Sequence, residues 1–175
     1  MKLTEEAVSK SFGGDLNDTC RKFLEETNFN YEVIEGQDRD SYIMSNLDMI
    51  QSDTQVIAAP ERTEVWEKGW KENLDDFKKT QDISAVLPKF IRPNHILRFN
   101  QEYIKTENEY FERDFVKLFQ MWFFDKYMSD YDHIYEFGCG SGFNLATIAE
   151  MFPDKSLVGT DFAHSSVDLI NALGS

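Results

Sequence analysis

Three glycines at alternate positions, Gly138, Gly140 and Gly142, follow a short apolar segment and precede a helical one. One acid, Glu136, stands two residues before the first of them, and another, Asp161, lies 19 residues beyond the last. Glycine lets the backbone turn sharply from strand to helix and lets a ligand approach with no Cβ in the way. The helix that follows presents unpaired N–H groups to whatever occupies the loop. An acid ending the next strand, about 20 residues on, accepts hydrogen bonds from both hydroxyls of a ribose. Together these residues point to a nucleotide cofactor.

The spacing and the charge discriminate between nucleotides. A dinucleotide fingerprint, Gly-x-Gly-x-x-Gly, would place its third glycine at Phe143. A bulky aromatic stands there instead, and Glu136 would repel a pyrophosphate. S-adenosylmethionine (SAM) has no phosphate and carries a cationic amino group and a sulfonium, so a nearby carboxylate favours it. Two alternatives are an NAD(P)-dependent oxidoreductase, which Phe143 and Glu136 disfavour, and a non-catalytic nucleotide-binding or interaction module.

The stretch Ile134-Tyr135-Glu136-Phe137-Gly138-Cys139-Gly140-Ser141-Gly142 resembles the first motif of the class I SAM-dependent methyltransferases. Leu157-Val158-Gly159-Thr160-Asp161 is similar to their second motif. The resemblance implies a Rossmann-like α/β domain and SAM as cofactor. It implies that Gly138, Gly140 and Gly142, with Phe137 and Cys139 between and beside them, line the loop under the methionine and ribose parts of SAM. Glu136 would lie near the methionine amino group, Asp161 would hold the ribose hydroxyls and Phe162 would pack on the adenine. The family's third strand helps bind adenine, and its fourth strand and following loop commonly face the methyl acceptor. Neither is present, so the resemblance names no catalytic residue and implies that these 175 residues are the N-terminal part of a longer enzyme.

Other elements must position this loop. His133–Phe137 and residues 157–160 read as strands, and residues 144–151 and 165–173 as helices, a βαβα series that implies a parallel sheet covered by helices. Before it, residues 107–128 form the clearest helix. Phe111, Phe115, Leu118 and Trp122 recur there as an apolar stripe expected to pack on the sheet. Upstream, helices are expected over 16–26 (capped by Asp15), 40–51 (Ile43, Leu47 and Ile50 on one face) and 61–79 (following Pro60). Residues 31–34 are a weak strand, and residues 82–100 a connector broken by Pro88 and Pro93. The expected division is a mainly helical N-terminal extension or cap, 1–105, followed by the incomplete SAM-binding domain, 106–175. The extension would cap the cofactor or select the acceptor. Trp66 and Trp70, four apart on one helical face, read as core. Cys139 reads as a small filler, and His95, His133 and His164 as structural or exposed.

Composition bounds the partners. The chain has 32 acidic against 18 basic residues, a net charge of −14. Nucleic-acid affinity comes largely from Lys and Arg neutralising phosphates, so RNA and DNA are disfavoured as substrates. The expected acceptor is a small molecule, sugar-bearing in one version, with protein next. Two distant cysteines, a charged N-terminus in place of a signal peptide and the lack of a ~20-residue apolar run imply a cytoplasmic chain outside the membrane. The oligomeric state is not legible.

Overall fold

A computed structural model of the chain describes residues 1–52 and 62–174. The elements, in order, are α1 (Glu5–Phe12), α2 (Asp18–Glu26), β1 (Tyr31–Val33), α3 (Gly36–Gln51), α4 (Arg62–Thr80), a 3-10 turn (Ile83–Val86), β2 (Leu97–Phe99), β3 (Glu102–Thr106), α5 (Phe111–Met128), β4 (His133–Phe137), α6 (Phe143–Met151), β5 (Ser156–Thr160) and α7 (His164–Leu173). This is a mixed α/β chain with two small sheets. It groups into two discontinuous compact units, Met1–Pro60 with Arg92–Asp114 and Glu61–Ile91 with Phe115–Ser175.

The first unit is built on an antiparallel sheet in the order β1-β3-β2, with Tyr31 opposite Thr106 and Leu97 opposite Ile104. The β2–β3 hairpin turns through Asn100 and Gln101, both at positive φ (47° and 69°). Two consecutive positive-φ residues characterise the tight turns that match strand twist. The region expected to be an irregular connector therefore supplies a strand. The core is aromatic: Phe111 packs edge-on against Phe29 at 5.2 Å, with Tyr31 and Phe99 beside them. Helix α2 is capped by Asn17, whose side chain accepts from the Cys20 N–H at 2.8 Å, in place of the expected Asp15. Helix α3 starts at Gly36, earlier than expected. Its anticipated apolar face is not buried, since Leu47 and Ile50 are exposed.

The second unit holds the glycine-rich loop. Strands β4 and β5 pair in parallel, from His133 opposite Ser156 to Phe137 opposite Thr160. One face of this pair packs on helices: Phe124, Ile134 and Ile148 form a buried cluster with Phe123, Met128, Met151 and Leu157 around it. Lys117 of α5 also pairs with Glu150 of α6 at 3.0 Å. The residues of α5 in that cluster are thus Phe123, Phe124 and Met128 rather than the expected stripe, although Leu118 and Trp122 are buried too. The opposite face bears Tyr135 and Phe137, 65% and 83% exposed. Helix α4 lies along α7 through a core of Leu74, Phe77 and Leu169. Buried Asn73 fixes the 3-10 turn to α4 by donating to the carbonyls of Ala85 and Leu87. Pro60 and Glu61, where the sequence places the start of α4, lie outside the described residues.

Candidate functional site

All three loop glycines adopt left-handed backbone, with φ of 73° at Gly138, 55° at Gly140 and 76° at Gly142. An L-residue there costs roughly 1–2 kcal/mol. The N–H groups of Gly138 and Cys139 both donate to the Thr160 carbonyl, at 2.7 and 3.1 Å, and the Gly142 N–H donates back to the Cys139 carbonyl at 2.8 Å. The loop is therefore pinned to the end of β5 before it feeds α6. Gly142 caps α6 without any side-chain hydrogen bond. A Cβ on Gly138 would meet nothing within 4 Å, so its surroundings are open, whereas one on Gly142 would collide with Ile170 Cδ1.

Asp161 follows β5 and organises the loop. Its Oδ2 accepts the Gly140 N–H at 2.8 Å and its Oδ1 accepts the Ala163 N–H at 2.9 Å. Each carboxylate oxygen offers two lone-pair directions, so a further donor can be taken at each. Ser166 donates its hydroxyl to the Gly140 carbonyl. Cys139 is buried, with Sγ 3.7 Å from the Ser166 hydroxyl. Burial pushes its thiol up, the wrong direction for a nucleophile, and Gly159 sits against it where any Cβ would be 2.9 Å from the sulfur. Phe162 is 62% exposed. It lines a cavity of about 480 Å³ with Thr63, Glu64, Glu67, Lys68, Lys71 and His164.

Glu136 lies on the helix-covered side of β4. Its Oε1 accepts from Asn144 Nδ2 at 2.6 Å, Asn144 Oδ1 accepts from Gln120 Nε2 at 2.6 Å, and Gln120 Oε1 accepts from the Thr147 hydroxyl at 3.1 Å. The other oxygen, Glu136 Oε2, is buried with no hydrogen-bond partner. Desolvation raises the Glu136 carboxyl above the usual carboxylate range; Asn144 opposes that shift and the negative charge of Asp161 adds to it. A buried acceptor without a donor is costly.

Helix α4 contributes two contacts that sequence reasoning missed. A Cβ on Gly140 would lie 2.9 Å from Trp70 Cζ2, so the indole occupies the space that glycine leaves open. Trp70 in turn stacks on Trp66, with ring centres 5.6 Å apart and 21° between planes. Trp66 is exposed rather than core. One turn of helix places Glu67 at the start of α7, where its Oε1 accepts the Ser165 N–H at 3.0 Å and also the Ser165 hydroxyl. The Ser165 hydroxyl, then the main-chain N–H groups of Ser165 and His164, hold the Glu67 carboxyl below its ordinary range. The i, i+4 spacing of the tryptophans was visible in sequence, but their partner was not.

The predicted site residues therefore divide. Asp161 is joined to the loop at Gly140, Cys139 is buried within the loop, Gly138 and Gly142 shape it, and Glu136 is bonded to Asn144 just after it. Phe137 is exposed on the face of β4 away from the helices, and Phe162 is exposed at the cavity lined by α4. Of the histidines, His95 faces the Arg92 carbonyl and Glu112, and His133 and His164 are exposed. Among the described residues no group of His, Cys, Asp and Glu is arranged to hold a metal ion, and no helix is long and apolar enough to cross a membrane. Compared with protein-family models, curated proteins and solved structures, the chain matches none of them.

Proposed function

We propose that the loop 138–142 binds SAM and that the chain carries the cofactor-binding part of a methyltransferase. The observation behind this is the pair of carboxylates on the glycine loop. Asp161 accepts the loop's Gly140 N–H and the Ala163 N–H at the entry to α7, while Glu136 keeps a buried oxygen with no donor. A nucleoside hydroxyl suits the remaining lone pairs of Asp161. A cationic amino group is the donor that Glu136 Oε2 lacks. Two carboxylates at one loop disfavour a diphosphate, by the Coulomb repulsion that grows as the site is desolvated.

Bound SAM would supply an electrophilic methyl on a sulfonium. The protein's task is then orientation and exclusion of water rather than covalent chemistry. Asp161 and the glycine backbone would fix the ribose, Glu136 would fix the amino-acid end, and Phe162 would flank the base. Helix α4, with Trp70 on Gly140 and Glu67 on α7, would close the loop from one side. The acceptor that best suits a chain of net charge −14 is a small molecule, with protein next.

Calorimetric titration of the chain with SAM and, separately, with NADH tests this. SAM should bind, and Asp161→Ala should weaken it by about tenfold or more, the scale of one lost charge-assisted hydrogen bond. Binding of NADH, or of neither by the folded chain, overturns it.

A further inference from the structure

We infer that Asn144 and Gln120 are positioning residues: they hold Glu136 with one oxygen free, so that this side of the site selects a ligand carrying a cationic amino group. The inference rests on the SAM reading above and adds to it the residues that confer selectivity for the amino-acid end.

The argument begins with direction. Glu136 in its ionised form can only accept. The group facing its Oε1 at 2.6 Å must therefore be the Asn144 amide N–H, which turns Asn144 Oδ1 toward α5. That oxygen requires a donor, so Gln120 presents Nε2 to it, also at 2.6 Å. Gln120 Oε1 then faces Thr147, whose hydroxyl donates at 3.1 Å. Reversing the Gln120 amide would reverse Asn144 and set an amide oxygen against a carboxylate. One acid thus fixes the orientation of two amide side chains on two helices, while the Thr147 hydroxyl also lies 3.1 Å from the Phe143 carbonyl. Gln120 and Thr147 are buried, so neither side chain is free to turn toward water instead.

The same chain limits Glu136. Asn144 holds Oε1, and Oε2 is left as an acceptor in a dry setting, with the negative charge of Asp161 nearby. A neutral donor would satisfy the geometry but not the charge, whereas an ammonium group satisfies both. Asn144 sits in the first turn of α6, immediately after the loop, so the orientation of this carboxylate is coupled to the loop that would carry the rest of the ligand.

The test uses two ligands on the whole chain: SAM, and 5′-methylthioadenosine, which keeps the nucleoside and lacks the amino-acid part. Asn144→Ala should weaken SAM by about tenfold while changing methylthioadenosine by less than about twofold, since the lost bond is to a charged group at the amino-acid end only. Gln120→Met, which keeps volume and removes the donor, should show a smaller loss of the same kind and serves if Asn144→Ala does not fold. A merely structural role would weaken both ligands together. Equal loss for the two ligands, or no loss for either, overturns the inference while leaving SAM binding intact. A wild-type chain that binds neither ligand overturns the SAM reading itself, and this inference with it.

Discussion

The Gly140 N–H donates to Asp161 Oδ2 at 2.8 Å, so the acid after β5 and the loop after β4 form one hydrogen-bonded unit. The second oxygen of the same carboxylate takes the Ala163 N–H. One side chain thus sets the loop and the entry to α7 together. Whatever ligand Asp161 holds is held by a group that already has a structural duty, and the two duties can be separated by measurement.

Asp161→Ala should lower stability as well as ligand affinity. It strands two main-chain donors, each bonded to a charged acceptor worth about 1.5–3 kcal/mol. Water will recover part of that, because Asp161 is only half-buried. Urea unfolding followed by circular dichroism should give a loss of about 2 kcal/mol. An unchanged midpoint would mean that the loop holds its shape without the acid.

Gly140→Ala should carry two separable costs. Left-handed backbone accounts for roughly 1–2 kcal/mol, and the contact with Trp70 at 2.9 Å adds an overpacking cost of about 1–3 kcal/mol. In a Trp70→Leu background only the first cost should remain. A double-mutant cycle should therefore be non-additive, with the pair more stable than the sum of the singles. Additivity would show that the indole moves aside freely.

The elements around the loop were legible because each carries a local signal. β4 and β5 are short apolar runs, three glycines and Asp161 punctuate them, and α6 and α7 begin and end within a residue or so of their expected limits. The β2–β3 hairpin was not legible, because its turn uses Asn100-Gln101 and not a glycine-bearing pair. The stripe on α5 was visible, but which residues meet the sheet depended on how α5 rotates against α6, and periodicity does not fix that. Gln120, Asn144 and Glu67 escaped for another reason. Each is an ordinary polar residue on a helix, and its importance comes from a partner on another element.

Glu136→Gln should have opposite effects on the free and the liganded protein. The folded carboxyl is raised, first by desolvation and then by Asp161, with Asn144 opposing. A raised carboxyl contributes stability that is fully present below the ordinary glutamate pKa of about 4.3 and is lost as pH rises through the folded value. Thermal melts of the free protein should show Glu136→Gln gaining on wild type from about pH 4 upward. SAM affinity should run the other way, rising with pH in wild type and losing that rise in the variant. Parallel melting curves at all pH values would place the Glu136 charge outside the folding equilibrium.

Glu67→Gln examines the anchoring of α4 on α7, where the pH dependence has the other sign. The folded Glu67 carboxyl is depressed, first by the Ser165 hydroxyl, then by the N–H groups of Ser165 and His164 and by the charge of His164. Its contribution to stability is therefore present above the ordinary glutamate pKa and disappears as pH falls through the lower folded value. The other titratable groups lining the same cavity are Glu64, Lys68, Lys71 and His164. The contributions of those groups are common to wild type and variant. The melting temperature of wild type should exceed that of Glu67→Gln by a constant margin near neutral pH, and the margin should close as the acid range is entered. Ser165→Ala removes the strongest donor to the carboxylate without touching α4, so it should narrow the same margin at neutral pH. If Glu67→Gln instead melts with wild type at every pH, α4 is held on α7 by Leu74, Phe77 and Leu169 alone, and the polar contact at the helix start contributes nothing to keeping Trp70 against Gly140.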